Sequence, residues 1–210
     1  MNTSVYIIGA GGHSKQVIDI FLENGREIAG VFDDHKIGPF YRGTRIIGTS
    51  RDAAKYANAN GDGSFFCAIG DNDQRKRVTE ELVDWVHDWT NCISKTAYVS
   101  PSVRMGRGNY IGNHGKVLAD SAIGDFNIVN EGATLTHDNL IGDYNHVAPN
   151  ASLGGRVKLG NSNLIGTNAT INPDVHLGDG FTIGSGSVVL RSLQNPGTYV
   201  GAPCRRIPIL

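Results

Sequence analysis

The sequence predicts two domains, an N-terminal α/β domain with a small parallel sheet followed by a parallel β-helix. Two observations predict this architecture. The N-terminal part, residues 1–90, alternates short apolar runs with segments of helical spacing, and an aliphatic residue then recurs at every sixth position from about Ile93 to Val189. The 28 glycines are spread along the 210 residues rather than clustered, as expected for a repeat with tight corners.

Three strands are predicted in the first domain, and each is followed by glycine or acidic residues. Residues 5–8 form an apolar run that ends in the turn 9–14 (GAGGHS), and a helix follows. Strands at 28–32 and 65–69 alternate with helices at 52–58 and 71–86. Because parallel sheets bind ligands at the carboxyl ends of their strands, the predicted substrate contacts are Gly11, Gly12, His13, Asp33, Asp34 and Gly70.

The ligand of this domain is predicted to be a nucleotide. Carboxylates can accept hydrogen bonds from ribose hydroxyls or a base N–H, although Asp33 and Asp34 could also belong to a solvated turn. An NAD enzyme is the weaker interpretation, because Ser14 stands where the dinucleotide fingerprint has its third glycine. We expect this domain to comprise residues 1–90, with a boundary in the apolar-poor segment 88–95.

The repeat predicts a triangular solenoid at residues 91–194, followed by a C-terminal tail at 195–210. A period of six fits neither a helix nor a half-buried strand, whereas one short strand per side gives about 18 residues per coil. The alternative is a set of ordinary strands that share a spacing by chance. Seventeen aliphatic positions in one register argue against it.

Composition excludes several classes of function. A formal net charge of -1 predicts no attraction to nucleic acid or to an anionic membrane. Cys67, Cys92 and Cys204 lack metal-site spacing and indicate reduced thiols. No signal peptide or long apolar run is present, so we expect a soluble, cytoplasmic protein.

His137 is the candidate general base. Its neighbours in the coils before and after it are Ala119 and Gly155, which leave space beside an imidazole on the outer wall. The adjacent carboxylate of Asp138 would select the tautomer and raise the basicity of the ring. Two alternatives remain: an exposed histidine without a role, and an Asp138 that pairs with Arg156 across coils instead.

Residues 130–146 (NEGATLTHDNLIGDYNH) closely resemble the signature of hexapeptide-repeat nucleotide-sugar N-acetyltransferases, which acylate 4-amino-4,6-dideoxy sugars of the bacillosamine, perosamine or viosamine type. The turn 9–14, the pair 33–34 and the segments 68–72 (AIGDN) and 199–203 (YVGAP) are also similar, so the resemblance covers nearly the whole chain. It implies a left-handed coil, acetyl-CoA as co-substrate, no metal, and a homotrimer with active sites between subunits.

Carried over residue by residue, the resemblance makes His137 the base, Asp138 its catalytic partner, and Asn130 a contact to the sugar near its amine. The positions assigned to the cofactor are His146, Gly155, Thr167 and Ser185. Thr167 and Ser185 are one coil apart and should stack, as an extended pantetheine requires. Two departures from the family are Ser185, where relatives often have glycine, and Glu131, where they often have a small or hydroxyl residue.

The expected activity is direct transfer of the acetyl group of acetyl-CoA to the 4-amino group of a nucleotide-linked sugar. O-acetylation of a sugar hydroxyl, as in sialic-acid-type enzymes, is an alternative within the same fold. Zinc-dependent hydration of carbon dioxide would need three convergent histidines, and a non-catalytic scaffold would not need a His-Asp pair. The nucleotide carrier (UDP, dTDP or GDP) and the sugar stereochemistry stay open.

Overall fold

The computed structural model describes residues 4–60 and 63–208. The chain forms two compact units, Met1–Lys95 and Thr96–Leu210. Residues 91–95 therefore belong to the first unit by their contacts, although their place in the six-residue period had assigned them to the repeat.

The first unit is a five-stranded sheet with helices. Its strands are β1 (Ser4–Ile8), β2 (Glu27–Phe32), β3 (Gly38–Pro39), β4 (Arg45–Gly48) and β5 (Ser64–Cys67), and β6 (Cys92–Ile93) is the last strand before the second unit. Its helices are α1 (Gly12–Glu23), α2 (Ser50–Asn60) and α3 (Asn72–Glu81), with a 3-10 turn at Tyr41–Gly43. The strand order is β3-β4-β2-β1-β5, and every pair is parallel except β3 with β4. The predicted small parallel sheet is confirmed.

Two details of the first unit differ from prediction. The strands β3 and β4 were not predicted, because they are short and Ile46 is their only buried residue. The helix predicted to reach residue 86 ends at Glu81. Leu82 and Val86 are nevertheless buried, and the Val86 N–H donates to the Leu82 carbonyl at 2.9 Å. The buried residues of this separate turn continue the four-residue spacing of α3, so the sequence predicted one longer helix.

The second unit is a parallel β-helix. Its two-residue strands are β7 (Tyr98–Val99), β8 (Arg104–Met105), β9 (Tyr110–Ile111), β10 (Lys116–Val117), β11 (Ala122–Ile123), β12 (Ile128–Val129), β13 (Thr134–Leu135), β14 (Leu140–Ile141), β15 (His146–Val147), β16 (Ser152–Leu153), β17 (Lys158–Leu159), β18 (Leu164–Ile165), β19 (Thr170–Ile171), β20 (His176–Leu177) and β22 (Val188–Val189), with β21 (Phe181–Ile183) one residue longer. Strands from β6 to β22 each end on one of the seventeen predicted aliphatic positions.

The strands of this unit form three parallel sheets, one on each side of the coil. The first sheet has the order β22-β19-β16-β13-β10-β7, and the second has the order β20-β17-β14-β11-β8. The third contains β21, β18, β15, β12 and β9 in that order. Lys116 pairs with Thr134, three periods of six further along the chain, so the predicted coil length is confirmed. The aliphatic residues fill the interior, where Val117, Leu135 and Leu153 are fully buried.

The corners of the coil use aspartate and asparagine as well as glycine. Asp138 (φ 59°), Asn150 (φ 58°) and Gly132 (φ 66°) all adopt the left-handed conformation that these residue types tolerate best. The glycine after an aliphatic residue has another purpose. A Cβ on Gly124 would lie 2.0 Å from Asp143 Oδ1, which accepts the Asp125 N–H from the neighbouring coil. Clearance for the next coil therefore requires this glycine.

A ladder of four buried asparagines, which the sequence pattern did not predict, runs along the inside of one corner. The N–H of Asn127 donates to Asn109 Oδ1 at 2.8 Å, and Asn145 and Asn163 repeat the contact one and two coils further on. Each buried amide is thereby hydrogen-bonded, as a polar group without access to water must be.

The segment predicted as a C-terminal tail, residues 195–210, contains two strands. Strand β23 (Gly197–Val200) pairs in parallel with β21, and β24 (Arg205–Arg206) pairs antiparallel with β23. These two strands extend the third sheet beyond the last regular coil. They were not predicted because they follow the end of the six-residue period. Residues 209–210 lie outside the described residues.

Candidate functional site

All six substrate contacts predicted in the first unit line one cavity of about 400 Å³. The turn between β1 and α1 supplies Gly11, Gly12 and His13, the end of β2 supplies Asp33 and Asp34, and the loop after β5 supplies Gly70. A Cβ on Gly11 or Gly12 would meet nothing within 4 Å, so the backbone there is open to a ligand. The first turn of α1 carries no acidic residue, and its N–H groups favour an anion.

The two carboxylates at the end of β2, Asp33 and Asp34, line this cavity. Asp33 accepts the Ala10 N–H at 2.7 Å through Oδ2 and the His35 N–H at 3.0 Å through Oδ1. Asp34 accepts both the N–H and the hydroxyl of Ser50, at 2.8 and 3.1 Å, at the start of α2. Asp34 is exposed and Asp33 is half-buried, so a solvated turn stays an alternative, but these contacts also tie β2 to the glycine turn and to α2. Each oxygen keeps a second lone pair that a ligand can use.

Two residues that were not predicted for the site support the cavity. Arg75 is 1% exposed and donates through one nitrogen to the carbonyls of Ile69 and Gly70, at 3.0 and 3.1 Å. It thereby holds the loop after β5. The signal that could have found it is its place in the buried stripe of α3, three positions before Val78. Ser14 is fully buried and donates its hydroxyl to the Gly11 carbonyl at 2.7 Å, which explains why glycine is not needed there.

In the second unit, His137 and Asp138 form a hydrogen-bonded pair on the outer wall. His137 Nδ1 lies 2.7 Å from Asp138 Oδ2, and each side chain is about half exposed (53% and 51%). The pair stands at the corner between β13 and β14, where the left-handed backbone of Asp138 presents its carboxylate to the preceding ring. Because the carboxylate can only accept, the proton lies on Nδ1, and Nε2 keeps the lone pair that a base would need.

Gly155 and Arg156 lie one coil after His137 and Asp138 and are the neighbours of this pair on that side. A Cβ on Gly155 would lie 2.6 Å from Cε1 and 2.7 Å from Nε2 of His137, so the imidazole rests directly on the glycine backbone. Arg156 does not pair with Asp138. Its guanidinium binds both carboxylate oxygens of Asp174, at 2.7 and 2.8 Å. The competition anticipated between His137 and Arg156 for Asp138 is thus resolved in favour of His137.

Asn130 and His146 form a second pair, on the side of the coil that carries β12 and β15. The Glu131 N–H donates to Asn130 Oδ1 at 3.0 Å, which turns Nδ2 of that amide toward His146 Nε2 at 3.2 Å. The amide nitrogen can only donate, so His146 accepts through Nε2 and carries its proton on Nδ1. Glu131 also accepts the hydroxyl of buried Tyr110 at 2.6 Å.

The two remaining positions predicted for the cofactor, Thr167 and Ser185, are stacked as predicted. Ile165 pairs with Ile183, and the Gly186 N–H donates to the Thr167 carbonyl at 2.8 Å, which sets Thr167 and Ser185 one coil apart. Between them the wall has little room for side chains, because a Cβ on Gly166 would lie 2.6 Å from the Ser185 nitrogen. The structure therefore brings together the six residues of the first-unit cavity, the His137–Asp138 pair and the Asn130–His146 pair. His137 and the Asn130–His146 pair occupy different sides of the coil.

Comparison with known proteins identifies the family. The family described as PglD N-terminal domain matches residues 4–82, and the bacterial transferase hexapeptide (six repeats) family matches residues 156–191. The crystal structure of a histidine-to-alanine variant of GDP-perosamine N-acetyltransferase from Caulobacter crescentus, in complex with CoA and GDP-perosamine, has a TM-score of 0.93 at 32% identity and covers 98% of this chain and 97% of that chain. This chain belongs to the hexapeptide-repeat nucleotide-sugar N-acetyltransferases.

Two curated relatives extend the comparison. An uncharacterized protein of Acanthamoeba polyphaga mimivirus is 64% identical over 203 residues, which make up 97% of this chain and 40% of that protein. UDP-N-acetylbacillosamine N-acetyltransferase of Bacillus subtilis is 34% identical over 110 residues, 51% of this chain and 50% of that enzyme. The aligned region is therefore half or less of the length of each curated relative.

The three cysteines of the chain are all buried and form no disulfide. Burial raises the pKa of the Cys67 thiol to about 11 and that of Cys92 well above its usual value, so neither is a thiolate near neutral pH. In the described parts of the chain no three His, Cys, Asp or Glu side chains are grouped as a metal site would require. The helices described there are all too short or too polar to cross a membrane.

Proposed function

We propose that this chain transfers the acetyl group of acetyl-CoA to the 4-amino group of a nucleotide-linked 4-amino-4,6-dideoxy sugar. The observation that carries the proposal is the His137–Asp138 pair, with its 2.7 Å contact and its ring seated on Gly155. The relative crystallised with CoA and GDP-perosamine supports both substrates. A cytoplasmic location rests on the sequence alone and is part of the proposal.

The proposed reaction is a direct attack without an acyl-enzyme. The sugar amine forms a bond to the thioester carbonyl carbon while His137 Nε2 accepts a proton from the nitrogen. Asp138 stabilises the imidazolium that results. When the tetrahedral intermediate collapses, the carbon–sulfur bond breaks and the coenzyme leaves as a thiol with the proton returned by His137. The buried, protonated cysteines support a mechanism without a protein nucleophile.

The substrates are assigned to the two units by their chemistry. We place the nucleotide in the cavity of the first unit, with its phosphates near the first turn of α1, because the N-terminus of a helix favours anions. Asn130 would contact the sugar near its amine. The coenzyme would run along the second unit past His146, Gly155, Thr167 and Ser185, of which the last two are stacked one coil apart.

We further propose a left-handed coil and a homotrimer with active sites between subunits. His137 lies at the corner of β13 and β14, whereas Asn130 and His146 lie on the side of β12 and β15. A site that uses both clusters would therefore take them from two copies. Co-expression of His137→Ala and His146→Ala chains would test this, because about a quarter of the sites in random mixed trimers would hold both intact residues. Mixed trimers as inactive as either parent would exclude shared sites.

The experiment that tests the activity compares an amine with the matching alcohol. Coenzyme A release is measured with nucleotide-linked 4-amino sugars and with the same sugars carrying a 4-hydroxyl group, and the products are analysed by mass spectrometry. The proposal predicts an acetamido product and faster turnover of the amine. Faster turnover of the hydroxyl substrate would establish O-acetylation instead.

The carrier is tested separately by thermal shift. UDP, dTDP and GDP are compared, because a ligand bound only by the folded protein raises its stability by RT ln(1 + [L]/Kd). One of the three should give the largest shift, and that nucleotide is then used in the acetylation assay. The absence of a shift with all three would contradict the nucleotide site in the first unit.

A further inference from the structure

Four charged residues form a row along the corner that carries the His137–Asp138 pair. Asp120, Asp138, Arg156 and Asp174 follow one another at intervals of one coil, and all four adopt the left-handed conformation, with φ between 59° and 62°. Neighbouring coils are separated by about 4.8 Å. The arginine therefore has a carboxylate one coil before it and another one coil after it.

Arg156 binds the second of these carboxylates. Its Nε and one terminal nitrogen contact both oxygens of Asp174, at 2.7 and 2.8 Å, which is the two-pronged geometry that a guanidinium prefers. The hydrogen bond with Asp174 is the main cause of the raised pKa of Arg156, and the charge of Asp138 adds a smaller contribution. Arg156 is thus bound to Asp174 while it lies within electrostatic range of Asp138.

We propose that Asp174 is a positioning residue for acetyl transfer, because it holds Arg156 away from Asp138 and so reserves that carboxylate for His137. This inference rests on the proposed function. An Arg156 guanidinium on Asp138 would neutralise the charge that stabilises the imidazolium formed at His137. Within this row of four residues, the only other carboxylate one coil from the arginine is Asp138 itself, so Asp174 alone can hold the arginine away from it.

The matched variants are Asp174→Asn, Arg156→Gln and their combination. In Asp174→Asn the released arginine moves to Asp138, and because exposed ion pairs form with equilibrium constants of about one to five, kcat should fall about two- to sixfold. Arg156→Gln should keep the activity of the unaltered enzyme, and the double variant should regain it. Asp174→Glu, which keeps a carboxylate, should also remain active.

If the Arg156–Asp174 ion pair only stabilised the contact between two coils, the activities of the variants would show a different pattern. Both single variants would then lose the same contact and show the same loss of activity, and the double variant would not recover. Either of these results would overturn the proposal. Thermal unfolding of all four variants shows whether an activity change follows a change in stability.

A crystal structure of Asp174→Asn separates this inference from the proposed function, because it requires no substrate. The expected result is Arg156 within hydrogen-bonding distance of the Asp138 carboxylate. An Arg156 that stays away from Asp138 would overturn the positioning role even if the enzyme acetylates amino sugars. If the unaltered enzyme acetylates no amino sugar, the proposed function fails, and this structure still decides where Arg156 goes.

Discussion

Gly155→Ala should disable the candidate base without unfolding the protein. The new methyl carbon would lie 2.6 Å from Cε1 and 2.7 Å from Nε2 of His137, well inside the roughly 3.5–4.0 Å at which carbon atoms pack best. The ring must therefore move by about 1 Å. A displacement of this size at a reacting group costs on the order of 10²-fold in rate. Because the His137 side chain is half exposed (53%), it can turn toward solvent with little loss of stability.

The assay is coenzyme A release with saturating nucleotide-linked amino sugar, together with thermal unfolding. Gly178→Ala is the matched control, because a Cβ there meets only Phe181 at 3.9 Å, and it should keep full activity. At saturating acetyl-CoA, combining Gly155→Ala with His137→Ala should lower kcat no further than His137→Ala alone. A Gly155→Ala enzyme with near-normal turnover and an unchanged melting temperature would refute the claim that the observed ring position matters.

Three other variants or conditions give sharp expectations. Asp138→Asn should reduce kcat by less than the roughly 10²–10⁴-fold expected for removal of a general base, because the imidazole remains but loses its carboxylate; unchanged kcat would exclude a role for Asp138. Arg75→Leu leaves the half-buried carbonyls of Ile69 and Gly70 without the donor that Arg75 supplies and should destabilise the fold by about 1 kcal/mol, with a weaker thermal shift by nucleotide; an unchanged urea midpoint would argue against this role. The Cys67 thiol, whose pKa burial raises to about 11, should resist Ellman's reagent at about pH 8, near the ordinary thiol pKa, until the chain is unfolded, and fast modification of the native protein would contradict its burial.

The β-helix could be predicted from sequence because one physical requirement repeats in it. Each side of the coil must send one aliphatic side chain inward, and this places Leu135 and Leu153 one full coil apart in a six-residue period that no helix or isolated strand shares. Strands were predicted only as far as the six-residue period continues, which is to Val189. Strands β23 and β24 pair through their backbones after the last regular coil, and backbone pairing leaves little trace in a sequence.

The partners of charged side chains were harder to predict than their positions. The coil length correctly placed Arg156 next to Asp138, but it placed Asp174 equally near on the other side. Spacing defines which residues are neighbours, and the choice between two equivalent carboxylates depends on side-chain conformation. Asp33 and Asp34 show the same limit, since their contacts with Ala10 and Ser50 bring together residues far apart in the sequence.

The most direct test of the central claim is the rate of coenzyme A release by His137→Ala with a nucleotide-linked 4-amino sugar that the unaltered enzyme acetylates. The expected result is a kcat lowered by about 10²–10⁴-fold, with an unchanged melting temperature and an unchanged thermal shift by the nucleotide. Near-normal turnover by His137→Ala would contradict the assignment of His137 as the base.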